Sequence, residues 1–297
     1  MKITYTFLYI LFFAFQIQAQ EKFLIEETDS IQLFETYLSN ISTGNIFPTP
    51  FNNGLIYVSD YKQNNYNLYY SDLQSKPKKI GLGSKFDFGA ATTFENTIYF
   101  TGISKKPDAK GFYNSTIYKG KINNFKVSAI EPLAFCNKNF SYTDPCISKD
   151  GKNLLVVSTE RAVIHIMEYM KNDLGKWIKK GLVYISNPNF DIINPTYFDE
   201  NTIYFSSNIS KGEITGVVYV KNEKGEISID KVNREVGDFN IYKIKRVDDR
   251  WGIPIKAQEF NSEFDELGVQ FDSDRSGYLT SFRYNSNDNI YYFVLKQ

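Results

Sequence analysis

The sequence predicts an all-β protein, a β-propeller of about five blades with four strands in each blade. The chain of 297 residues contains 22 Tyr and 25 Phe but only 3 Met, and flat aromatic side chains suit the half-buried surface of a sheet. A pattern of two apolar segments around a short turn recurs five times, near the period of roughly 40 to 50 residues that is typical of propeller blades. Turns with Asp-Gly or Asn-Gly join some of these segments, because both residue types tolerate the positive φ of a tight hairpin.

Each repeat begins with a predicted hairpin whose second strand resembles Ile-Tyr-Phe-Ser. The third hairpin is the most regular, since Lys149-Asp150-Gly151-Lys152 separates two apolar strands. The five hairpins span Pro48–Ser59, Gly89–Thr101, Asp144–Ser158, Asn194–Ser207 and Leu267–Ser281.

A third strand follows each hairpin. The five candidates are Asn67–Tyr70, Ser115–Tyr118, Val163–Ile166, Asn240–Tyr242 and Asn289–Phe293. A fourth strand often carries Trp or Pro, most clearly at Trp177-Ile178 and at Trp251–Pro254. Proline is tolerated there because the outermost strand of a blade is an edge and need not donate every hydrogen bond.

The repeat spacing predicts one insertion. Alignment on Tyr57, Tyr99, Val156, Tyr204 and Tyr278 gives spacings of 42, 57, 48 and 74 residues. The last spacing is too long for one blade, so we expect an insertion near residues 208–237 that forms an extra hairpin or part of a sixth blade. Five blades is the preferred number, and six is the alternative.

The fifth repeat ends after its third strand, and the N-terminal region offers the missing fourth. Phe23-Leu24-Ile25-Glu26 is apolar enough to form a strand. We therefore predict that residues 22–30 pair with the outer edge of the fifth blade, which closes the ring and covers an exposed strand edge.

The first twenty residues have the pattern of an export signal. Lys2 precedes an apolar run from Tyr5 to Phe15, and Ala19 lies at a plausible cleavage point. An uncleaved anchor is the alternative, but the run is shorter than the roughly 20 apolar residues of a membrane-spanning helix. We expect a signal peptide over 1–20, a single propeller domain over 21–297, and no membrane-spanning segment in the mature chain.

Charge and cysteine content exclude several partners. The 34 basic and 34 acidic residues give a net charge of zero, so we expect neither nucleic acid nor an anionic membrane as a partner. Cys136 and Cys146 are ten residues apart. In an oxidising compartment they could form a disulfide, and two buried thiols are the alternative. Two cysteines and one histidine argue against a zinc site.

Two repeats carry a resemblance to a known family. Ser148-Lys149-Asp150-Gly151-Lys152 and Ile203–Asn208 resemble the repeats of TolB-like, WD-type propellers. The segment from Asp238 through Trp251–Pro254 to Glu263 is similar to the propeller portion of OmpA-family envelope proteins, some of which are associated with type IX secretion. The resemblance implies a location in the periplasm or cell envelope of a Gram-negative bacterium. Peptidoglycan anchoring is not implied, because this chain lacks the OmpA-like domain.

The sequence singles out few candidate sites and supports none strongly. Asp272–Gly277 resembles the start of a calcium loop, but Arg283 stands where a bidentate Glu is needed. His165 lies in an apolar strand, which favours a structural role. Gly-x-Ser-x-Gly is absent from the sequence. Four acids that precede repeat strands recur at similar places, which favours structural hydrogen bonding over catalysis. They are Asp87, Asp144, Asp191 and Asp265.

We therefore predict no catalytic, cofactor-binding or metal-ligating residue, no cofactor and no enzymatic activity. The expected function is a scaffold that binds a protein partner in the cell envelope through the insertion and that is linked to secretion or envelope assembly. The alternative is a propeller that binds or hydrolyses glycans, because such propellers can place several carboxylates around a pocket.

Overall fold

The protein is a five-bladed β-propeller. In the computed structural model, five antiparallel sheets surround a common axis, and contacts between their first strands run from each blade to the next and back to blade 1. The described residues form strands and two short 3-10 helices, Leu38–Asn40 and Gln258–Phe260, and contain no α-helix. The structure describes the chain in the ranges 23–62, 65–83, 86–108, 111–161, 163–284 and 287–296. The predicted export signal lies outside these residues.

The strands of each blade are numbered along the chain and follow one another from the axis outward. Blade 1 contains β3 (Asn45–Phe51), β4 (Gly54–Ser59), β5 (Asn67–Ser71) and β6 (Lys78–Lys79). Blade 2 contains β7 (Phe86–Phe94), β8 (Thr97–Ser104), β9 (Ser115–Asn123) and β10 (Lys126–Pro132). Blade 3 contains β11 (Tyr142–Ile147), β12 (Asn153–Ser158), β13 (His165–Lys171) and β14 (Trp177–Ile185). Blade 4 contains β15 (Ile192–Asp199), β16 (Thr202–Lys221), β17 (Ile227–Val247), and then β18 (Arg250–Trp251) and β19 (Ile255–Lys256). Blade 5 contains β20 (Glu266–Phe271), β21 (Ser276–Ser281), β22 (Asn289–Leu295), β2 (Ile31–Phe34) and β1 (Leu24–Glu27).

The N-terminal region closes the ring, as predicted, but with a different strand in the fourth position. Ile31–Phe34 pairs with β22, and Leu24–Glu27 adds a fifth strand outside it. Burial explains the difference. Ile31 and Leu33 point into the core and are 2% and 0% exposed, whereas Phe23 is 72% exposed. The strand with alternate buried apolar residues therefore takes the inner place.

A buried arginine fastens this closure. The guanidinium of Arg283 donates hydrogen bonds to Glu26 in β1 (2.9 Å), to the carbonyl of Phe260 (2.7 Å) and to Glu266 in β20 (2.5 Å). One side chain thus joins the outermost and the innermost strands of blade 5.

The hairpin turns lie on one face of the ring, which we call the turn face because it carries the turns between first and second strands. Gly151 in the blade 3 turn has φ of +72°, and a Cβ there would lie 2.5 Å from the ring of Phe94 in blade 2. The predicted Asp-Gly turn therefore packs directly against the preceding blade. Two other turns share an identical sequence, since Glu95–Phe100 and Glu200–Phe205 both contain Glu-Asn-Thr-Ile-Tyr-Phe.

The predicted insertion falls in the β16–β17 hairpin and does not form a sixth blade. Beyond the pair Ile209 and Val236 this hairpin leaves blade 4 as a two-stranded ribbon, which we call the arm (residues 209–236). The two apolar runs of the insertion pair with each other, for example Tyr219 with Ile229. The arm extends from the face opposite the turn face.

The two cysteines are free thiols in this structure. Cys146 is buried in the first strand of blade 3 and Cys136 is partly buried in a loop. Burial raises the pKa of Cys146 to about 11 and that of Cys136 to about 12. Of the two alternatives from the sequence, the structure contains the thiols. Among the described residues no helix is long and apolar enough to cross a membrane.

Candidate functional site

A cavity of about 560 Å³ opens on the turn face between blades 3 and 4. This volume lies within the range of roughly 300 to 1,000 Å³ that ligand pockets usually have. We call it the Glu168 pocket, after the buried acid in its wall. Its lining consists of Ser148, Lys149, Asp150, Asn153, Glu168, Lys180, Tyr197, Phe198, Asp199, Glu200, Arg246 and Asp274.

Glu168 is a buried carboxylate that two cations hold in place. It lies in β13, and its side chain is 3% exposed. One carboxylate oxygen accepts hydrogen bonds from the ammonium of Lys180 (3.1 Å) and the hydroxyl of Tyr197 (3.0 Å). The other accepts from the guanidinium of Arg246 at 2.5 Å. Two cations and a hydroxyl donor thus satisfy this carboxyl group inside the wall of the pocket.

Arg246 is itself positioned by an aromatic ring. Its guanidinium lies 4.2 Å from the centre of the Trp251 ring, and the two residues are paired between β17 and β18. A guanidinium stacks well on an aromatic face, because it is planar and weakly hydrated. The short strand β18 therefore fixes the cation that faces Glu168.

The rim of the pocket carries more acids, which differ in how they are bound. Asp150 accepts hydrogen bonds from the Ser148 hydroxyl and the Lys152 amide, and both lower the pKa of this carboxyl. Asp274 lies 3.8 Å from Lys149. Glu200, at the blade 4 turn, accepts no hydrogen bond from another described residue. Its exposed carboxyl is thus the rim acid best able to meet a ligand.

A ring of β-bulges in the first strands surrounds the axis. The register of the first strand slips near the start of that strand in every blade, which marks a β-bulge at a similar place in each repeat; blade 4 has a second slip between Tyr197 and Asp199. Bulges are common next to functional sites, where they re-aim side chains. The residues at these bulges are Phe47, Gly89, Asp144, Asn194 and Leu267.

Asp144 is the acid on this ring of bulges. It is 8% exposed and has φ of +51°. Burial raises its pKa to about 6, although hydrogen bonds from the Asn194 backbone and Thr143 partly offset the effect. Its own amide donates to the Thr101 hydroxyl of blade 2 (3.1 Å). The residue therefore connects three blades through its backbone and side chain.

The structure does not bring the four acids from the sequence together. Asp87 is half exposed and lies 3.5 Å from Lys105. Asp191 is exposed and donates its backbone amide to Asn208. Asp265 accepts the amide of Phe239. Relative to the bulge, Asp87 and Asp265 share a position but Asp191 and Asp144 do not, so the expected equivalence of all four was wrong.

The other sequence candidates have local partners. His165 is fully buried and its Nδ1 lies 3.0 Å from the carbonyl of Val163. Burial lowers the pKa of this histidine. Asp272–Gly277 contains the turn between β20 and β21 and the start of β21, and the Asp272 carboxylate accepts a hydrogen bond from the Ser276 hydroxyl at 2.6 Å. In the described part of the chain, no group of three or more His, Cys, Asp or Glu side chains is arranged to hold a metal ion.

Sequence reasoning missed the Glu168 pocket. One signal was available, because Glu168 interrupts the apolar strand His165-Ile166-Met167-Glu168-Tyr169. A charged residue in such a strand needs a buried partner. Its partners Lys180 and Arg246 are 12 and 78 residues away in the sequence, so no local pattern identifies them.

Comparison with solved structures shows the same fold in proteins of very different sequence. The soluble aldose sugar dehydrogenase of Escherichia coli in its apo form has a TM-score of 0.50 at 8% identity, over 90% of this chain and 99% of that chain. A structure described as TolB from Agrobacterium tumefaciens has a TM-score of 0.47 at 10% identity, over 93% and 87%. A structure from a family of mannoside phosphorylases that contains glycoside hydrolases has a TM-score of 0.48 at 10% identity, over 84% and 83%. Neither a protein-family model nor a curated protein sequence matches the chain.

These similarities correct one prediction. From the sequence we predicted a chain that is not an enzyme, but a solved structure with this fold, the aldose sugar dehydrogenase, is an enzyme. The prediction is therefore wrong, because a missing nucleophile elbow and a single buried histidine do not exclude catalysis in this fold. The shared fold names no reaction for this chain. A TolB-like propeller is among the similar structures, whereas no protein-family match supports the narrower likeness to OmpA-family envelope proteins.

Proposed function

We propose that the protein is a carbohydrate-active propeller that binds a glycan in the Glu168 pocket and hydrolyses a glycosidic bond there. The observation that carries this proposal is a buried, cation-held carboxylate in the wall of a cavity whose rim carries further acids. Every sugar hydroxyl can both donate and accept a hydrogen bond. The pocket offers carboxylates as acceptors and the remaining N–H groups of Lys180 and Arg246 as donors, beside the ring of Phe198.

The acids differ in the ways that glycoside hydrolysis requires. That reaction uses one carboxylate near the anomeric carbon and one carboxyl that protonates the leaving oxygen. Glu168 forms ion pairs with Arg246 and Lys180 and lines the cavity, so it can stabilise the positive charge that develops on the sugar ring as water adds to the anomeric carbon. Glu200 is the candidate proton donor, because it is exposed at the rim and is not committed to another described residue.

The test is release of reducing sugar from a panel of oligosaccharides, with binding followed by calorimetry. We expect Glu200→Gln to lose hydrolysis by about a hundredfold or more and to keep binding, as is usual for loss of a general acid. Glu168→Gln should weaken both. Glu95→Gln is the matched control, because Glu95 occupies the same place in the identical turn of blade 2. Neither release nor binding with any saccharide of the panel would overturn the proposal.

A second proposal concerns the arm, which we propose docks a protein partner in the cell envelope. Tyr219, Ile227 and Ile229 lie on one face of this ribbon and are 61%, 70% and 60% exposed. A two-stranded ribbon is marginally stable by itself, and its free edges suit pairing with another strand. Replacing residues 210–235 by a tight turn should leave the melting temperature of the propeller unchanged and abolish a specific cross-linked product in native cells. The same product in the variant would contradict this proposal.

Export to the periplasm or cell envelope of a Gram-negative bacterium remains a prediction from the sequence. Fractionation of cells that express the full chain tests it, with mass spectrometry of the N-terminus to locate cleavage near Ala19. An intact N-terminus in the cytoplasmic fraction would contradict it.

A further inference from the structure

A second cavity, of about 350 Å³, opens on the turn face one blade earlier, between blades 2 and 3. We call it the Lys171 pocket. The residues that matter to its chemistry are Tyr99, Lys119, Lys121, Glu131, Lys171 and Trp177. The Ser148–Lys152 turn lies between the two pockets, because Asp150 lines the Glu168 pocket while Gly151 contacts Phe94 of blade 2.

The strand registers show that the two pockets are equivalent. In blade 2, Thr97 pairs with Lys121 and Tyr99 with Lys119. In blade 3, Asn153 pairs with Met170 and Leu155 with Glu168. Since Thr97 and Asn153 both begin second strands, Lys119 occupies the position in blade 2 that Glu168 occupies in blade 3.

The cation that enters each pocket from the following blade is also repeated. Lys171 pairs with Trp177 at the end of β13, and its ammonium lies 4.9 Å from the centre of the indole ring. Arg246 pairs with Trp251 in the same way, at 4.2 Å. Each pocket therefore holds one cation stacked on a tryptophan.

The two pockets differ in what faces that cation. Glu168 contacts both Lys180 and Arg246. In the Lys171 pocket the ion pair between the third and fourth strands has the reversed charges. The third strand contributes Lys119, which lies 2.9 Å from Glu131 on the fourth strand. Among the described residues, no carboxylate lies within 4 Å of the Lys171 ammonium.

The local electrostatics agree with this difference. Burial lowers the pKa of Lys171, and the positive charges of Lys119 and Lys121 lower it further, while Glu95 and Asp150 oppose them. Three ammonium groups thus converge on a cavity that has an aromatic wall. Of these, Lys121 donates a hydrogen bond to the uncharged hydroxyl of Thr97 at 3.0 Å.

We propose that the Lys171 pocket binds the carboxylate or sulfate of an anionic saccharide, in the place that the Glu168 carboxylate fills between the next two blades. The anion is inferred from the three lysines and the reversed pair, independently of any reaction. The saccharide rests on the proposed function, because both pockets open on the same face and flank the same turn. The glycan would then be a uronate-containing or sulfated one.

The experiment measures binding of glucuronate, glucose 6-sulfate, glucose and inorganic sulfate to the full chain by NMR titration. We expect both charged sugars to bind at least about tenfold more tightly than glucose, with the contact of an anion to lysine as the reason. Lys171→Gln should weaken the charged sugars about tenfold, and Lys119→Gln serves as a second variant if the first fails to fold. Lys62→Gln is the control, because Lys62 also lies over an aromatic ring but in a loop on the opposite face.

Several results would overturn the proposal. Equal affinity for glucose and glucuronate would show that the protein does not select an anion. Unchanged affinity in both Lys171→Gln and Lys119→Gln would show that the charged sugars do not bind in the Lys171 pocket. Binding of inorganic sulfate without binding of either charged sugar would show that the ligand is not a saccharide. Failure of the proposed hydrolysis can be distinguished from failure of this proposal, because the two have separate readouts. Glu200→Gln should abolish glycan cleavage and leave glucuronate binding intact.

Discussion

The Glu168 pocket and the Lys171 pocket lie in successive gaps between blades, and equivalent strands build them. Each contains a cation stacked on a tryptophan and an ion pair between the third and fourth strands. In one pocket the acid of that pair is buried and touches both cations. In the other the acid is Glu131, whose side chain is 61% exposed and forms an ion pair with Lys119.

The difference shows how a repeat fold acquires a site. The backbone of each blade fixes where a side chain lies, whereas one residue on the third strand decides the charge that a cavity presents. Glu168 forms ion pairs with both cations of its pocket. In the other pocket the equivalent residue is Lys119, so positive charge stays available to a ligand. Substitutions in the two pockets and at the buried Asp144 test this contrast.

Glu168→Gln should be strongly destabilising, because it leaves Arg246 and Lys180 without their shared carboxylate. We expect a loss of about 3 to 5 kcal/mol in the free energy of unfolding, which is usual when one partner of a buried ion pair is removed. Glu131→Gln, its counterpart in the other pocket, should cost at most about 1 kcal/mol because that pair is exposed. Urea denaturation measures both values, and equal losses would break the comparison.

Asp144→Asn should be stabilising at neutral pH, in contrast to Glu168→Gln in the same blade. Asp144 has a pKa of about 6 in the folded protein, compared with 3.8 as its ordinary value, because burial disfavours its charged form. The folded state therefore binds the proton more tightly, and stability falls as pH rises from about 4 to about 6. Asparagine keeps the shape and tolerates the positive φ.

The gain from Asp144→Asn should be at most about 3 kcal/mol above pH 6, since each pKa unit corresponds to about 1.4 kcal/mol. It should disappear near pH 4. Thermal unfolding from pH 4 to pH 8 gives the profile. A difference between wild type and variant that does not depend on pH would show that the carboxyl is not responsible.

The double substitution Lys119→Glu/Glu131→Lys should convert the Lys171 pocket to the charge pattern of the Glu168 pocket. Lys171 would then have a carboxylate beside it, so affinity for glucuronate should fall at least about tenfold, with stability changed by about 1 kcal/mol or less. NMR titration and urea denaturation measure these effects. Retained affinity would mean that the charge at this position does not set the ligand.

Lys171 should lose its proton at lower pH than an ordinary lysine, because it is partly buried near Lys119 and Lys121. A lowered pKa in the folded state means that stability rises slightly as pH increases through that pKa. NMR of ¹³C-methylated lysines follows the titration directly. In the Lys119→Glu/Glu131→Lys variant the pKa of Lys171 should move upward, and a value that stays the same would argue against the like charges as a cause.

The comparison also shows which parts of this protein can be predicted. The hairpins at Asp144–Ser158 and Asn194–Ser207 were predictable, because apolar alternation and turn residues act over short distances. Closure by the N-terminal region was predictable from the missing strand, but its register was not. Residues 31–34, rather than 23–26, form the strand next to β22, because Ile31 and Leu33 bury more apolar surface.

Periodicity and composition along the chain were enough to predict the all-β class, the repeat, the five blades and the place of the insertion. Which charges meet is a property of the folded chain alone. Glu168 and Arg246 are 78 residues apart and become partners because neighbouring blades bring third strands to one cavity. Lys119 is equivalent to Glu168 only once the strands are in register. Electrostatic energy depends on the distance between charges and on their burial, and the order of residues along the chain gives neither quantity directly.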